Sequence, residues 1–395
     1  MVAWVTQGRP DGVSQVVYWR ESDGQSGKQR SKGTWKAFNA GNFLFRRQVF
    51  HHLVTLTDLL PGESYFYQTG NGLLMSRILR FRTLPSHDPE WVPKIAIYGD
   101  LGNENGQSIP WLTSEVDKNR IDVIFHIGDI AYDLGDHQGK TGDEFMRRIE
   151  PMASKVPYQV VPGNHEAAWN FSHYDNLFAM VDQKSGQVNN HFYTTTVGPV
   201  RVIGISTEFY FFVIYGSSQI GHQFHWLENE LREANKPQNR RTHPWVIVVG
   251  HRPLYCSSNH ALHCTLEYRA LRNGWFGNYG LDKLFYDNKV DVYFSGHMHV
   301  YERMFPVFDG HSNTSKASDP YDNPSAPVHI IAGSAGCKEK LYKFEDAPPE
   351  WSAIRIADYG YSMLYPNATH LRVEQISALR VRFPTLCHIS LNSRC

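Results

Sequence analysis

The strongest constraint in this chain is a pattern repeated at five places. The runs at 94–100, 122–129, 158–164, 245–251 and 291–297 are near-continuously apolar, and each ends in glycine followed by Asp, Asn or His. A short run apolar at every position reads as a strand buried on both faces, which is the strand type of α/β proteins. Amphipathic stretches at 144–149 and 224–231 lie between the runs and read as helices. In such layered folds, ligands gather at the carboxyl ends of the strands. A glycine there lets the chain turn sharply, so the residue after it can project into a shared site. One Gly-Asp after a strand is usually only a turn. Five such ends carrying metal-ligand chemistry predict convergence.

The candidate ligands are Asp100, Asp129, Tyr132, Asn164, His251, His297 and His299. Carboxylate, phenolate, imidazole and amide oxygen suit first-row transition metals, and no cysteine stands at any of these strand ends. Seven ligands exceed what one ion needs if it keeps a position open for water, so two ions sharing a carboxylate fit better. Tyr132 follows Asp129 by three residues, which a tight turn can bring to one site. His297 and His299 are expected to project the same way from an extended segment.

The remaining sequence bounds the answer. At 395 residues, two domains or one large one are expected. Hydrophobic residues make up 41% and charged residues 20%, which excludes a disordered chain. Lys plus Arg and Asp plus Glu are 39 each, so there is no global basic field and nucleic acid is not an expected partner. No apolar run reaches the roughly 20 residues that cross a bilayer. Phe209 to Tyr215 has strand length. No secretory signal is visible after Met1. Sequons at Asn170, Asn313 and Asn367, with Cys256 and Cys264 flanking a loop-like segment, favour the secretory pathway, although the five cysteines fit free thiols as well.

Residues 1 to 87 read as an all-β unit of short alternating strands separated by Gly-rich turns. The segment Leu56 to Tyr67 resembles the corner before a late strand in fibronectin type III sandwiches, where a tyrosine hydroxyl ties the corner to nearby backbone. The polar stretch from Pro85 to Pro89 reads as a linker.

With GDLG at 99–102, GDIAY at 128–132, GNHE at 163–166, VVGH at 248–251 and GHMH at 296–299, the sequence resembles the purple acid phosphatases of the metallophosphoesterase superfamily, closest to the animal long forms. The tyrosine of GDxxY narrows the superfamily pattern to the purple enzymes. The resemblance implies a metallophosphoesterase-like β-sandwich core flanked by helices over 88–395, an α/β fold, preceded by the fibronectin-like unit over 1–87. It implies a ferric ion held by Asp100, Tyr132 and His299. A divalent ion (zinc, iron or manganese) would be held by Asn164, His251 and His297, with Asp129 bridging. The implied reaction is acid hydrolysis of small phosphate monoesters by metal-bound hydroxide, with the enzyme secreted or lysosomal.

His165 and His260 match histidines lining the family's substrate pocket. Ala261 stands where some members carry another histidine, so the general acid is open among His165, His260 and His263. A phosphodiesterase or nucleotide pyrophosphatase of the same superfamily is the alternative enzyme. A truncated non-catalytic product is the other alternative, because the sandwich is expected to lack the family's first strand and the tail 377–395 does not match. Glu166 is read either as orienting His165 or as a solvated loop carboxylate. His51, His52, His87, His311, His370 and His388 read as surface or loop residues, and His126 as core. Trp169, His173 and Tyr174 read as pocket rim or as packing.

Overall fold

The computed structural model describes residues 1–41, 46–86, 88, 90–259, 264, 268–312, 319–379 and 385–390. Residues 2–82 carry a six-stranded antiparallel sheet in the spatial order Val2–Thr6, Gln48–Val54, Gln29–Asn39, Ser14–Arg20, Ser64–Gly70, Leu79–Arg82. The long strand Gln29–Asn39 pairs through Gln29–Gly33 with Ser14–Arg20 and through Thr34–Asn39 with Gln48–Val54. This change of partner at Gly33 lets the two halves of the sheet enclose Val16, Tyr18, Val54, Tyr65 and Tyr67. The tyrosine corner is present, since the Leu60 N–H donates to the Tyr65 hydroxyl at 2.8 Å. His51 and His52 lie within Gln48–Val54 and are not surface residues; His52 is buried between Ser14 and Thr6 and stacks on Trp4.

Two further sheets follow. One has the order Thr385–Ser390, His370–Ser377, Gly360–Pro366, Ile95–Tyr98, Val123–Ile127, Tyr158–Val161, its last three strands parallel. The other has the order Tyr193–Val197, Val200–Gly204, Trp245–Val249, Val292–Ser295, Val328–Ala332, Tyr301–Met304, Ser352–Ile356, with parallel pairing from Val200–Gly204 to Val328–Ala332. The five motif-bearing strands are therefore divided between two sheets, three in the first and two in the second.

Alternation explains why these strands are apolar throughout. Trp245, Ile247 and Val249 join the core shared with the first sheet, alongside Ile97, Phe125 and Val160. Val246 and Val248 face the other way, packing with Ile220, Leu227 and Leu231 of the helix Ser218–Ala234. Both faces are covered, so neither can be polar.

The segment Phe209–Tyr215 is not a strand. It forms two 3-10 turns, Thr207–Tyr210 and Val213–Tyr215, because buried polar anchors hold it: the Tyr210 hydroxyl donates to the Tyr279 carbonyl at 2.6 Å, and Glu208 pairs with Arg252. The tail that matched no pattern supplies the edge strand Thr385–Ser390, with Ile389 fully buried. Cys256 and Cys264 form a disulfide. Among the described residues, no helix is long and apolar enough to cross a membrane.

The N-terminal sheet touches the core near its loops. Arg47 pairs with Asp143 and donates to the Gln138 carbonyl at 3.0 Å. Phe38 packs edge-on to His173, and the Tyr67 hydroxyl donates to the Ser154 carbonyl at 2.9 Å.

Burial has a consequence for acid conditions. His329 is buried among Tyr255 and Tyr293, with no hydrogen-bond partner for either ring nitrogen among the described residues, and burial followed by the nearby Arg272 charge pushes it down to about 3. The folded chain keeps this ring neutral while the unfolded chain protonates it near its ordinary value. The stability it contributes is therefore intact above roughly pH 6.5 and lost as pH falls toward the folded value. His329→Leu should flatten the fall of unfolding free energy below about pH 6 by up to about 1.4 kcal/mol per pH unit. Denaturant titrations across that range check it, and an unchanged slope contradicts it.

Candidate metal centre

The two sheets meet where Gly99 and Gly296 pass each other. A Cβ on Gly99 would stand 3.2 Å from the Gly296 Cα, and one on Gly296 would stand 2.5 Å from Asp100 Oδ2. The same crowding recurs at Gly128, where a Cβ would meet the His251 ring at 2.4 Å, and at Gly163, where it would meet Asp129 Oδ1 at 2.3 Å. Among the five glycines before the candidate ligands, only Gly128 has a positive φ. The sharp-turn reading therefore needs correcting: what these positions mainly require is room for the neighbouring ligand. The conformational cost falls on the ligands, with φ of 59° at Asp100, 48° at Asp129, 55° at Tyr132 and 65° at His297. Such left-handed backbone in non-glycine residues persists only where the surroundings over-determine it.

Two groups of donor atoms result. In the first, His251 Nε2 lies 3.3 Å from Asp129 Oδ2, 3.2 Å from Asn164 Oδ1 and 3.2 Å from His297 Nδ1. Asp129, His251 and His297 each offer an atom within 4.8 Å of the others. In the second, Tyr132 Oη lies 2.9 Å from His299 Nε2 and 3.3 Å from Asp100 Oδ1, which is itself 3.5 Å from His299 Nε2. Backbone carbonyls set the tautomers. Ile127 O is 3.0 Å from His251 Nδ1 and Lys340 O is 2.9 Å from His299 Nδ1, so each ring donates there and turns a lone pair at Nε2 inward. The segment carrying His297 and His299 is not extended. Consecutive tight turns, with Met298 N–H donating to Gly296 O and Val300 N–H to Met298 O, aim the two rings at different groups.

While His251 is neutral, acceptors face acceptors: its Nε2, Asn164 Oδ1 and Asp129 Oδ2 then only accept, an arrangement that a positive charge relieves, whether a proton on the ring or a bound cation. The electrostatics agree. Burial lowers His251, but the Asp129 charge outweighs it and pushes the ring up to about 10. Burial likewise lowers His299, while its contacts with Asp100 and Cys337 push it up to about 11. Tyr132 is held well above its ordinary value, first by burial and then by Asp100 and Asp129, so its phenolate needs a highly charged cation beside it. The donor set thus fits two hard or borderline metal ions.

His165 flanks both groups. Its Nδ1 is 3.0 Å from Asp133 Oδ1, and its Nε2 is 3.5 Å from Glu339 Oε1 and 4.0 Å from Asp129 Oδ2. Burial lowers this ring, but Asp133, followed by Asp129, pushes it up to about 9. Glu166 does neither of the things expected of it. It is buried and accepts from the N–H groups of Asp129, Ile130 and Gly163. His260 and His263 lie outside the described residues, as do His87 and the sequon residue Asn313. His126 is core, 2.8 Å from the Tyr158 hydroxyl. His173 and Tyr174 are buried packing residues, whereas Trp169 is 74% exposed.

Sequence reasoning missed the pair behind His297. Arg252 Nε donates to both oxygens of the fully buried Glu208, at 2.9 and 3.0 Å, and its guanidinium lies 4.2 Å from the centre of the Phe211 ring. Its Nη1 stands 3.2 Å from His297 Nε2. The available signal was a lone carboxylate, Glu208, entering an aromatic run.

Residues 93–301 match the Calcineurin-like phosphoesterase family, residues 1–83 the purple acid phosphatase N-terminal domain, and residues 326–380 the iron/zinc purple acid phosphatase-like protein C family. The chain is 42% identical to human acid phosphatase type 7 over 350 residues, covering 88% of this chain and 78% of that protein. It is 28% identical to Fe(3+)-Zn(2+) purple acid phosphatase 12 of Arabidopsis thaliana over 386 residues, covering 94% and 76%. In fold it resembles the purple acid phosphatase PPD1 of yellow lupin seeds, with a TM-score of 0.80 at 22% identity, covering 98% of this chain and 71% of that one.

Gly163→Ala isolates the steric requirement, because the φ of −107° at Gly163 suits alanine and only the added carbon offends. The variant should lose bound metal on dialysis while keeping its secondary structure by circular dichroism. Gly8→Ala, with nothing within 4 Å, should retain metal as the parent does. Equal metal content in all three proteins contradicts the account.

Proposed function

The chain belongs to the purple acid phosphatase family, and from that premise we propose that it is an acid phosphatase hydrolysing small phosphate monoesters at a dinuclear Fe(III)–M(II) centre. The observation that carries the proposal is the convergence of candidate metal-donor atoms into two groups, one around His251 Nε2 and one that includes a buried phenol.

Asp100, Tyr132 and His299 hold the ferric ion, Asn164, His251 and His297 hold the divalent ion, and Asp129 bridges them. A phenolate favours ferric over ferrous iron. Zinc is the first candidate for the divalent position, supported by the Fe(3+)-Zn(2+) relative, with iron or manganese as alternatives. When bound, the ion pair supplies Lewis-acid activation of water and of the phosphoryl oxygens.

The protein's own residues do the rest. Three anionic ligands set against five metal charges leave about two positive charges, which draw a phosphate dianion to a chain of zero formal charge. His165, oriented by Asp133, holds at Nε2 the proton that the departing alkoxide takes, and His260 is assigned to the same pocket. Residues 1–87 form the N-terminal domain of this enzyme and 88–395 its catalytic domain. A secreted or lysosomal location is supported by the Cys256–Cys264 disulfide and the exposed sequon residue Asn170.

Purified metal-loaded protein should show a visible charge-transfer band and, at acid pH, a higher kcat/KM on an aryl monoester than on the matching diester. Tyr132→Phe should abolish the band. A band that survives the substitution rules out tyrosinate ligation, and diester preference moves the chain to the phosphodiesterase reading.

A further inference from the structure

The strands Val123–Ile127 and Tyr158–Val161 pair in parallel as far as Ile127 and Val161, and there the register ends. Beyond it, the two chains diverge into the loops that carry Asp129 with Tyr132 and Asn164 with His165. Three backbone N–H groups, from Asp129, Ile130 and Gly163, turn toward one point between the loops. The Glu166 carboxylate occupies that point. Its Oε2 accepts from Asp129 and Gly163, each at 2.8 Å, and its Oε1 accepts from Ile130 at 2.9 Å. Glu166 is 2% exposed.

A concavity of converging backbone N–H groups is an anion site, and here the chain supplies its own anion. Two of the three donors belong to the loop whose ligands, Asp129 and Tyr132, carry left-handed backbone. Such a conformation needs an external hold. The third donor precedes Asn164. One carboxylate therefore spans the two loops, and the alignment it sets is visible in the contacts beyond it. Asp129 Oδ1 accepts from the His165 N–H at 3.0 Å, and Asp129 Oδ2 and Asn164 Oδ1 both reach His251 Nε2.

We infer that Glu166 is a positioning residue of the metal centre, clamping the Asp129–Tyr132 loop to the Asn164–His165 loop through a carboxylate held in a nest of three N–H groups. The inference rests on the reading of these residues as metal ligands. Glu166 touches backbone N–H groups and offers its oxygens to them rather than to an ion. Glutamine has the same size but a single acceptor oxygen, so its amide group must face at least one N–H donor to donor. Aspartate keeps the charge but is one methylene short of spanning both loops.

The test uses the full chain as wild type, Glu166→Gln and Glu166→Asp, each loaded with iron and zinc and dialysed against graded chelator. Metal per chain is measured, together with the thermal midpoint of chelator-stripped protein. Wild type should retain two ions per chain. Glu166→Gln should release them with affinity lowered about 10- to 100-fold, the range for partners that orient metal ligands, and Glu166→Asp should fall between. A Gln variant with wild-type metal affinity overturns the inference, even if its metal-free midpoint drops, because that pattern marks a purely structural role. Should the Gln variant not fold, Glu166→Asp decides, and wild-type affinity there is equally fatal. Wild type that retains no ions refutes the metal reading itself, a failure distinct from either variant result.

Discussion

His251 Nε2 and Asn164 Oδ1 lie 3.2 Å apart, and a neutral His251, donating Nδ1–H to the Ile127 carbonyl, has no proton left to offer. Asp129 Oδ2, another pure acceptor, stands 3.3 Å from the same nitrogen. The rest of the molecule is arranged to hold this crowd of lone pairs in place. The glycines before the ligands leave room for it, the left-handed backbone at four of the ligands aims it, and Glu166 ties two of its loops together. Acceptors facing one another in a buried site are costly unless a positive charge sits among them, a proton on His251 or a bound metal ion.

The supporting shell is more extensive than the ligands. Lys340 enters only through its carbonyl, yet it sets the tautomer of His299. Behind His297 stands the Glu208–Arg252 pair, both members buried, with Phe211 under the guanidinium. From the far side, the N-terminal sheet packs Phe38 against His173 and ties Arg47 to the helix that follows the Tyr132 loop. The N-terminal sheet, which carries no candidate ligand, thus packs against the helices that follow the two ligand-bearing loops.

How much of this was legible in the sequence depends on the kind of interaction. The candidate ligands were readable because a strand buried on both faces writes an apolar run, and a polar residue after its terminal glycine stands out against it. A corner tyrosine was readable because it has a local context, and the structure gives Tyr65 the role, its hydroxyl accepting from Leu60. Glu166 was seen but misread, since its partners are backbone N–H groups that no side-chain pattern encodes. Arg252 and Glu208 lie 44 residues apart and meet only through the fold. Phe209–Tyr215 has the composition of a strand, and buried polar anchors fold it into turns. The resemblance implied a sandwich of two sheets, but the residues alone did not assign each of the five strands to its sheet, because a strand covered by a second sheet and one covered by a helix are equally apolar.

The proposed function requires two metal ions, one on either side of Asp129. Crystals of the metal-loaded protein, measured at the absorption edges of iron and of zinc, test it most directly. The account predicts two anomalous peaks about 3.5–4 Å apart, one among Asp100, Tyr132 and His299 and one among Asn164, His251 and His297, with the Asp129 carboxylate between them. A single peak, or a pair of peaks away from these residues, would contradict it.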